Sequence, residues 1–140
     1  MTLAINRQET SLDNTAPITQ NLLLNKAFFG KNNCLKITLN MDKDCYFHFG
    51  VLKNEQQNSW EWKKVKFNDM ELGEMINVLD NKKPSVSFFH KFNGGQTQIW
   101  VNKSEKYFFI KVKELSKSLS EGEQAVLKVL LERLIWIMNT

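Results

Sequence analysis

The residues with the clearest chemical potential are rings and ammonium groups that alternate with apolar residues between Ser85 and Lys113. In SVSFFHKFNGGQTQIWVNKSEKYFFIKVK, three strand-like runs put Val86 and Phe88, Ile99 and Val101, and Phe108, Ile110 and Val112 on one side. The other side then carries Ser87, Phe89, Lys91, Gln98, Trp100, Asn102, Tyr107, Phe109, Lys111 and Lys113. A solvated face has little use for Phe89, Trp100, Tyr107 and Phe109 together. Flat rings stack on unpaired bases and lysines hold phosphates, so the mixture suits a single-stranded nucleic acid. The same rings would also suit burial under a second sheet or a subunit. The run Trp60 to Phe67 repeats the pattern, with Trp60, Trp62, Lys64 and Lys66 on one face and Val65 and Phe67 on the other.

These strands need elements to hold them. Leu35 to Met41 and Cys45 to Leu52 read as two further strands joined by a hairpin at Asp42, Lys43 and Asp44. Asn68 with Glu71 three residues later forms a capping box that starts a helix, with Leu72, Met75, Ile76 and Leu79 as its apolar stripe. Asn93, Gly94 and Gly95 supply turn chemistry within the central stretch. Ser120 with Glu123 opens a last helix running close to Asn139. That helix is apolar over most of its circumference, with Gln124, Lys128 and Glu132 as a narrow polar stripe. The surplus predicts a homodimer or larger homo-oligomer held through Val126, Leu130, Leu134 and Ile137.

The resulting order is βββα-βββα, an α+β class of antiparallel sheets with helices. Residues 1–30 read as a polar N-terminal arm whose Leu22, Leu23, Leu24, Phe28 and Phe29 dock on the body or a neighbour, and residues 31–140 as one domain. The 140 residues carry a net charge of +4, unevenly spread. Residues 81–117 hold eight basic and two acidic side chains, net +6, whereas the helical stretch 68–80 holds four acidic and no basic ones, net −4. The expected strands therefore attract a polyanion and the expected helices do not.

Other classes of chemistry find little support. No P-loop, Gly-x-Ser-x-Gly elbow or metal-binding helix is present, and Gly94-Gly95 sits in a hairpin context rather than between strand and helix, so an enzyme is not expected. Cys34 and Cys45 lack the spacing of a zinc site, and His48 and His90 lie in strand patterns that favour structural hydrogen bonds. Neither a metal nor a cofactor is expected. No stretch is apolar enough for a membrane span, and the start lacks a signal-peptide pattern. The reading is therefore an intracellular protein, cytoplasmic or nucleoid-associated.

The runs Phe67 to Ile76, Ser87 to Lys91, Tyr107 to Val112 and Leu119 to Glu123 resemble the Whirly-like group of single-stranded nucleic-acid binders. That group includes the plant Whirly proteins, trypanosomal mitochondrial RNA-binding proteins and relatives of transcriptional positive cofactor 4. The resemblance spans residues 33–138 and rests on pattern; the Lys-Gly-Lys-Ala-Ala-Leu-type stretch of the plant proteins is absent. It implies a sheet surface that binds single strands with little base preference, and helices that assemble subunits. Phe89, Lys91, Trp100, Tyr107, Phe109 and Lys111 are the positions to which it assigns binding. The expected function is thus single-stranded DNA binding, with RNA the second choice. The competing expectation is a protein-interaction or oligomeric scaffold module that uses the aromatic faces and the last helix.

Overall fold

The computed structural model of the protein describes residues 10–11, 16–92 and 95–140. The remainder of the expected arm, and Asn93 and Gly94 of the expected turn, lie outside the described residues. Strands β1 (Thr10–Ser11), β2 (Leu22–Phe29), β3 (Asn33–Asn40), β4 (Cys45–Asn54) and β5 (Ser59–Phe67) precede helix α1 (Asp69–Leu79). Strands β6 (Ser85–Phe92), β7 (Gly95–Lys103), β8 (Phe108–Val112) and β9 (Leu115–Leu119) precede helix α2 (Glu121–Met138). The first five form one antiparallel sheet in the order β1-β5-β4-β3-β2, and the last four a second in the order β6-β7-β8-β9.

The α+β class holds, but the first half has two strands more than the expected three and the second half one more. Residues 22–29 are an edge strand on β3 rather than an arm, with Phe28 opposite Leu35 and Leu24 opposite Leu39. Phe28 is buried while Phe29 is exposed, so the alternation is real on an edge that is half wet. Strand β9 hides in LSKSL, where Leu115, Lys117 and Leu119 turn inward and Ser116 and Ser118 outward. Its serines look like a linker before the helix cap, whereas they are the outer face of a strand.

Alternate residues of both sheets meet in one core. Leu35, Ile37, Leu39, Phe47, Phe49, Val65 and Phe67 from the first sheet join Phe88, Ile99, Val101, Phe108, Ile110 and Val112 from the second. Phe67 packs edge-on against both Phe47 and Phe88, at 4.8 and 5.9 Å between ring centres, bridging the two sheets. Leu72, Met75 and Val78 of α1 and Leu127, Leu131 and Leu134 of α2 complete it. Asn139 Nδ2 donates to Asp69 Oδ2 at 3.1 Å and Lys128 Nζ donates to Asp80 at 2.8 Å, so the helices run antiparallel.

Both capping boxes form as the sequence indicates. The Asn68 and Ser120 side chains accept from the Glu71 and Glu123 amides, and each glutamate returns the bond to its cap residue. Glu71 does more, since its second carboxylate oxygen lies 2.7 Å from His90 Nε2 and thereby ties α1 to the inner face of β6. Lys63 of the first sheet reaches Glu114 beside β9 at 3.7 Å.

Two residues of α2 depart from their expected places. Leu134 is fully buried in the protein's own core, so it cannot belong to a subunit interface. Gln124 is not on a polar stripe but buried, and its Nε2 donates to the Lys106 carbonyl at 2.8 Å and the Leu119 carbonyl at 3.0 Å. The amide satisfies two backbone acceptors at the start of β8 and the end of β9 that the helix would otherwise seal from water. Gln124→Met keeps the length of the side chain and removes both bonds. It should lower unfolding stability by ~1–3 kcal/mol in a urea titration, whereas Glu132→Gln on the exposed side should leave the midpoint unchanged.

Candidate nucleic-acid interface

On the outer face of the second sheet, register decides which rings become neighbours. Phe89 stands opposite Gln98, Trp100 lies between Ser87 and Lys111, and Phe109 stands opposite Asn102. Each ring is thus displaced by two residues from the next, and Phe89, Trp100 and Phe109 step diagonally across β6, β7 and β8. Diagonal positions on one sheet face lie ~7–8 Å apart, within reach of one another for large side chains. Tyr107, just ahead of β8, extends the line with its ring 6.2 Å from that of Phe109. Phe89 is 59% exposed, Trp100 50% and Tyr107 48%, so these rings are available rather than packed beneath another sheet, whereas Phe109 between them is half-buried.

Lys91 and Lys111 are exposed on the same face, and Lys111 is the cross-strand neighbour of Trp100. Lys113 follows β8 in a turn with φ of 55°, so it stands at the end of the face rather than within its ladder. The strand positions of this face are otherwise serine, glutamine and asparagine, and no acidic residue occupies one. An approaching phosphate therefore meets ammonium groups with no carboxylate on the strands between them.

The first sheet presents a second such face. Trp60, Trp62, Lys64 and Lys66 share it, as the alternation indicates, and the register sets Lys36 and Tyr46 beside them. Trp60 and Trp62 lie nearly parallel, 5.8 Å between ring centres at 21°. Trp62 rests on Gly50 across the strand pair: a Cβ at Gly50 would stand 2.6 Å from its ring, so the bare glycine backbone is the seat. Asn58 Oδ1 accepts from Trp60 Nε1 at 3.1 Å. The lysines here are more engaged than those of the other sheet. Lys64 Nζ sits 4.8 Å over the Tyr46 ring and Lys66 lies 3.4 Å from Asp44.

His48 lies on this outer face yet is buried, because Ala16, Pro17, Ile18 and Gln20 pass over it on their way into β2. A hydrogen bond of 3.1 Å joins its Nε2 to Thr38 Oγ1. Burial, with Lys64 and Lys36 nearby, lowers its pKa to about 4, so the ring is neutral at pH 7. Burial and the carboxylates of Asp44 and Asp42 push the Tyr46 phenol above its ordinary value. Both histidines are thus held by hydrogen bonds, and no group of His, Cys, Asp and Glu among the described residues is arranged to hold a metal. Cys34 and Cys45 are buried free thiols, and burial pushes both thiol pKa values up.

Of the residues expected at a subunit interface on α2, Val126 is exposed and Leu130 and Ile137 are partly covered. Val129 and Trp136 are exposed beside them and were not anticipated. A shallow apolar groove runs between α2 and β2, floored by Leu24, Val126, Val129 and Leu130. No described helix is long and apolar enough to cross a membrane.

The architecture is the Whirly-like fold that the resemblance implies. The chain is similar to the solved structure of the plant transcriptional regulator PBF-2, with a TM-score of 0.57 and 14% sequence identity over 86% of this chain and 82% of that one. At that identity the likeness is one of fold. No family model matches the sequence, and no curated protein matches it.

The neutral His48 has a consequence for acid stability. Between the ordinary histidine pKa near 6.5 and about 4, the unfolded chain binds a proton that the folded chain does not. Stability should therefore be complete above about pH 6.5 and fall as pH drops through this window, by up to ~1.4 kcal/mol per pH unit. His48→Gln should flatten that portion of a melting-temperature profile against pH. A profile of unchanged slope in the variant would show that His48 is not the group responsible.

Proposed function

We propose that the protein binds single-stranded nucleic acid, DNA in preference to RNA, along its outer sheet faces and with little dependence on sequence. The observation that carries this reading is the diagonal of Phe89, Trp100, Phe109 and Tyr107 with Lys91 and Lys111 among them. Three exposed rings, Phe89, Trp100 and Tyr107, with the half-buried Phe109 among them, cost solubility unless something stacks on them, and bases present a flat partner only when unpaired. Trp60 and Trp62 with Lys64, and Lys113 at the sheet's end, would extend the contact. The fold shared with PBF-2 is consistent with a binding surface, and nucleic-acid binding of this kind requires no catalytic group.

Titration of Trp fluorescence with a mixed-sequence oligonucleotide at two salt concentrations tests the proposal. Affinity should fall steeply with salt, because lysine–phosphate contacts release condensed counterions. The separated strands should bind more tightly than their duplex. Trp100→Ala should weaken binding by ~1–3 kcal/mol with folding stability nearly unchanged. Lys111→Ala should reduce the salt slope by roughly one unit or less. Equal binding of duplex and single strand, with no loss in Trp100→Ala, would overturn the reading.

The exposed apolar row Val126, Val129 and Trp136 favours a second element of the proposal, assembly of two or more copies through α2. Sedimentation should give a mass of at least twice the chain. Val129→Asp should reduce it to one, with the fold intact because Val129 is on the surface. A single-chain mass for the unaltered protein at micromolar concentration would refute assembly and leave the strand-binding test untouched.

A further inference from the structure

The segment that covers His48 also borders a partly open space. Between Ala16, Pro17 and Ile18 on one side and the outer face of the first sheet on the other lies a cavity of about 140 Å³. The space is open to solvent along the exposed Ala16 and Ile18, and its inner part has about the volume that takes a single six-membered ring. Its walls are unlike on the two sides. The segment contributes aliphatic carbon, whereas the sheet contributes the rings of Tyr46 and His48, 6.1 Å apart at 40°, and a set of polar groups around them.

Of those polar groups only Lys64 is charged. Thr38 and His48 satisfy each other through their hydrogen bond, and the uncharged ring of His48 places no cation at the back. Asn40 Oδ1 already accepts from the Asp42 and Asp44 amides, both at 2.9 Å, which turns its carboxamide nitrogen into the donating end. The Tyr46 hydroxyl can donate or accept. Lys64, on the neighbouring strand and over the Tyr46 ring, supplies a positive charge. A flat, uncharged ring with carbonyl acceptors on its edge matches the interior, and an attached phosphate matches Lys64.

We propose that this cavity is a pocket for one pyrimidine base of a nucleotide, clamped between the Ala16–Ile18 segment and the Tyr46–His48 floor. The proposal rests on the single-strand reading and adds to it one position at which base identity matters. A purine would leave its second ring outside the inner space and lose part of the clamp, so the pocket favours the smaller base by fit and by hydrogen bonding to Asn40 and Tyr46. The rest of the surface, built of stacking rings, remains indifferent to sequence.

The test compares binding of end-labelled oligothymidylate and oligoadenylate of equal length to the full chain at one salt concentration. Oligothymidylate should bind more tightly. Ala16→Leu, an exposed wall position whose change cannot disrupt the core, should fill the cavity and weaken oligothymidylate about five- to tenfold, with oligoadenylate unchanged. Thr38→Val, which removes the partner of His48 at constant shape, should reduce the same preference. Thymidine monophosphate as competitor separates the two sources of such a base. Displacement that Ala16→Leu abolishes means the pocket also takes free nucleotides, and failure to displace, with the oligomer effect intact, means it takes the base as part of a strand. Either result supports the pocket. Equal affinity for the two oligomers, unaltered by Ala16→Leu but lowered in both by Trp100→Ala, would overturn the pocket and leave the single-strand reading standing. Failure of both oligomers to bind would overturn the two together.

Discussion

Burial of alternate residues from two sheets in a common core fixes the register of every strand, and the arrangement of exposed rings follows from that register. A slip of one residue in β7 would turn Trp100 into the core and Ile99 and Val101 outward. The aliphatic and phenylalanine residues that resist such a slip never touch a ligand, yet they decide that Phe89, Trp100 and Phe109 fall on a diagonal. Phe67 is central to this, since its ring meets Phe47 in its own sheet and Phe88 in the other. Glu71 acts in the same direction by polar means, holding the first turn of α1 with one carboxylate oxygen and His90 with the other. Loss of that carboxylate would loosen a helix end and a sheet together.

Much of this arrangement is legible in the sequence because it is written locally. A capping box is a three-residue relation, and both Asn68–Glu71 and Ser120–Glu123 form as read. Alternation over six or more residues is equally direct, so the faces of β4, β5, β7 and β8 could be assigned from residue types alone. The outer face bearing Phe89, Trp100 and Phe109 was legible for the same reason, as was the pairing of Trp60 with Trp62.

What escaped the sequence was fixed by tertiary contact or by edges. Strand β9 is five residues with serines outward, a composition typical of a linker, and β2 is an edge strand whose apolar residues show that it docks but not where it pairs. Gln124 looks like surface on a helix and is buried because two carbonyls need it. Leu134 looks like interface on an over-apolar helix and belongs to the core beneath it. Gly50 is an unremarked residue in an alternating strand until Trp62 is found lying on it, a relation set by pairing between β4 and β5. The cover over His48 is equally invisible, since nothing in residues 16–20 states where they will lie.

The two outer faces differ in a way that a count of lysines conceals. On the first sheet, Lys66 is paired with Asp44 and Lys64 is drawn over Tyr46, so part of the positive charge is already spent within the protein. On the second, Lys91 and Lys111 share their strands with amides, hydroxyls and rings and no carboxylate. Long-range attraction of a polyanion should therefore be stronger at the second sheet, where the exposed rings have no shape that selects among bases. The first sheet attracts less but is more structured, with Trp62 seated on Gly50 and a ring-sized cavity beneath residues 16–18. Under the proposed reading, affinity and discrimination are thus assigned to different sheets of one fold. The shared core makes this division possible, because it leaves each sheet an outer face most of whose side chains lie outside that core.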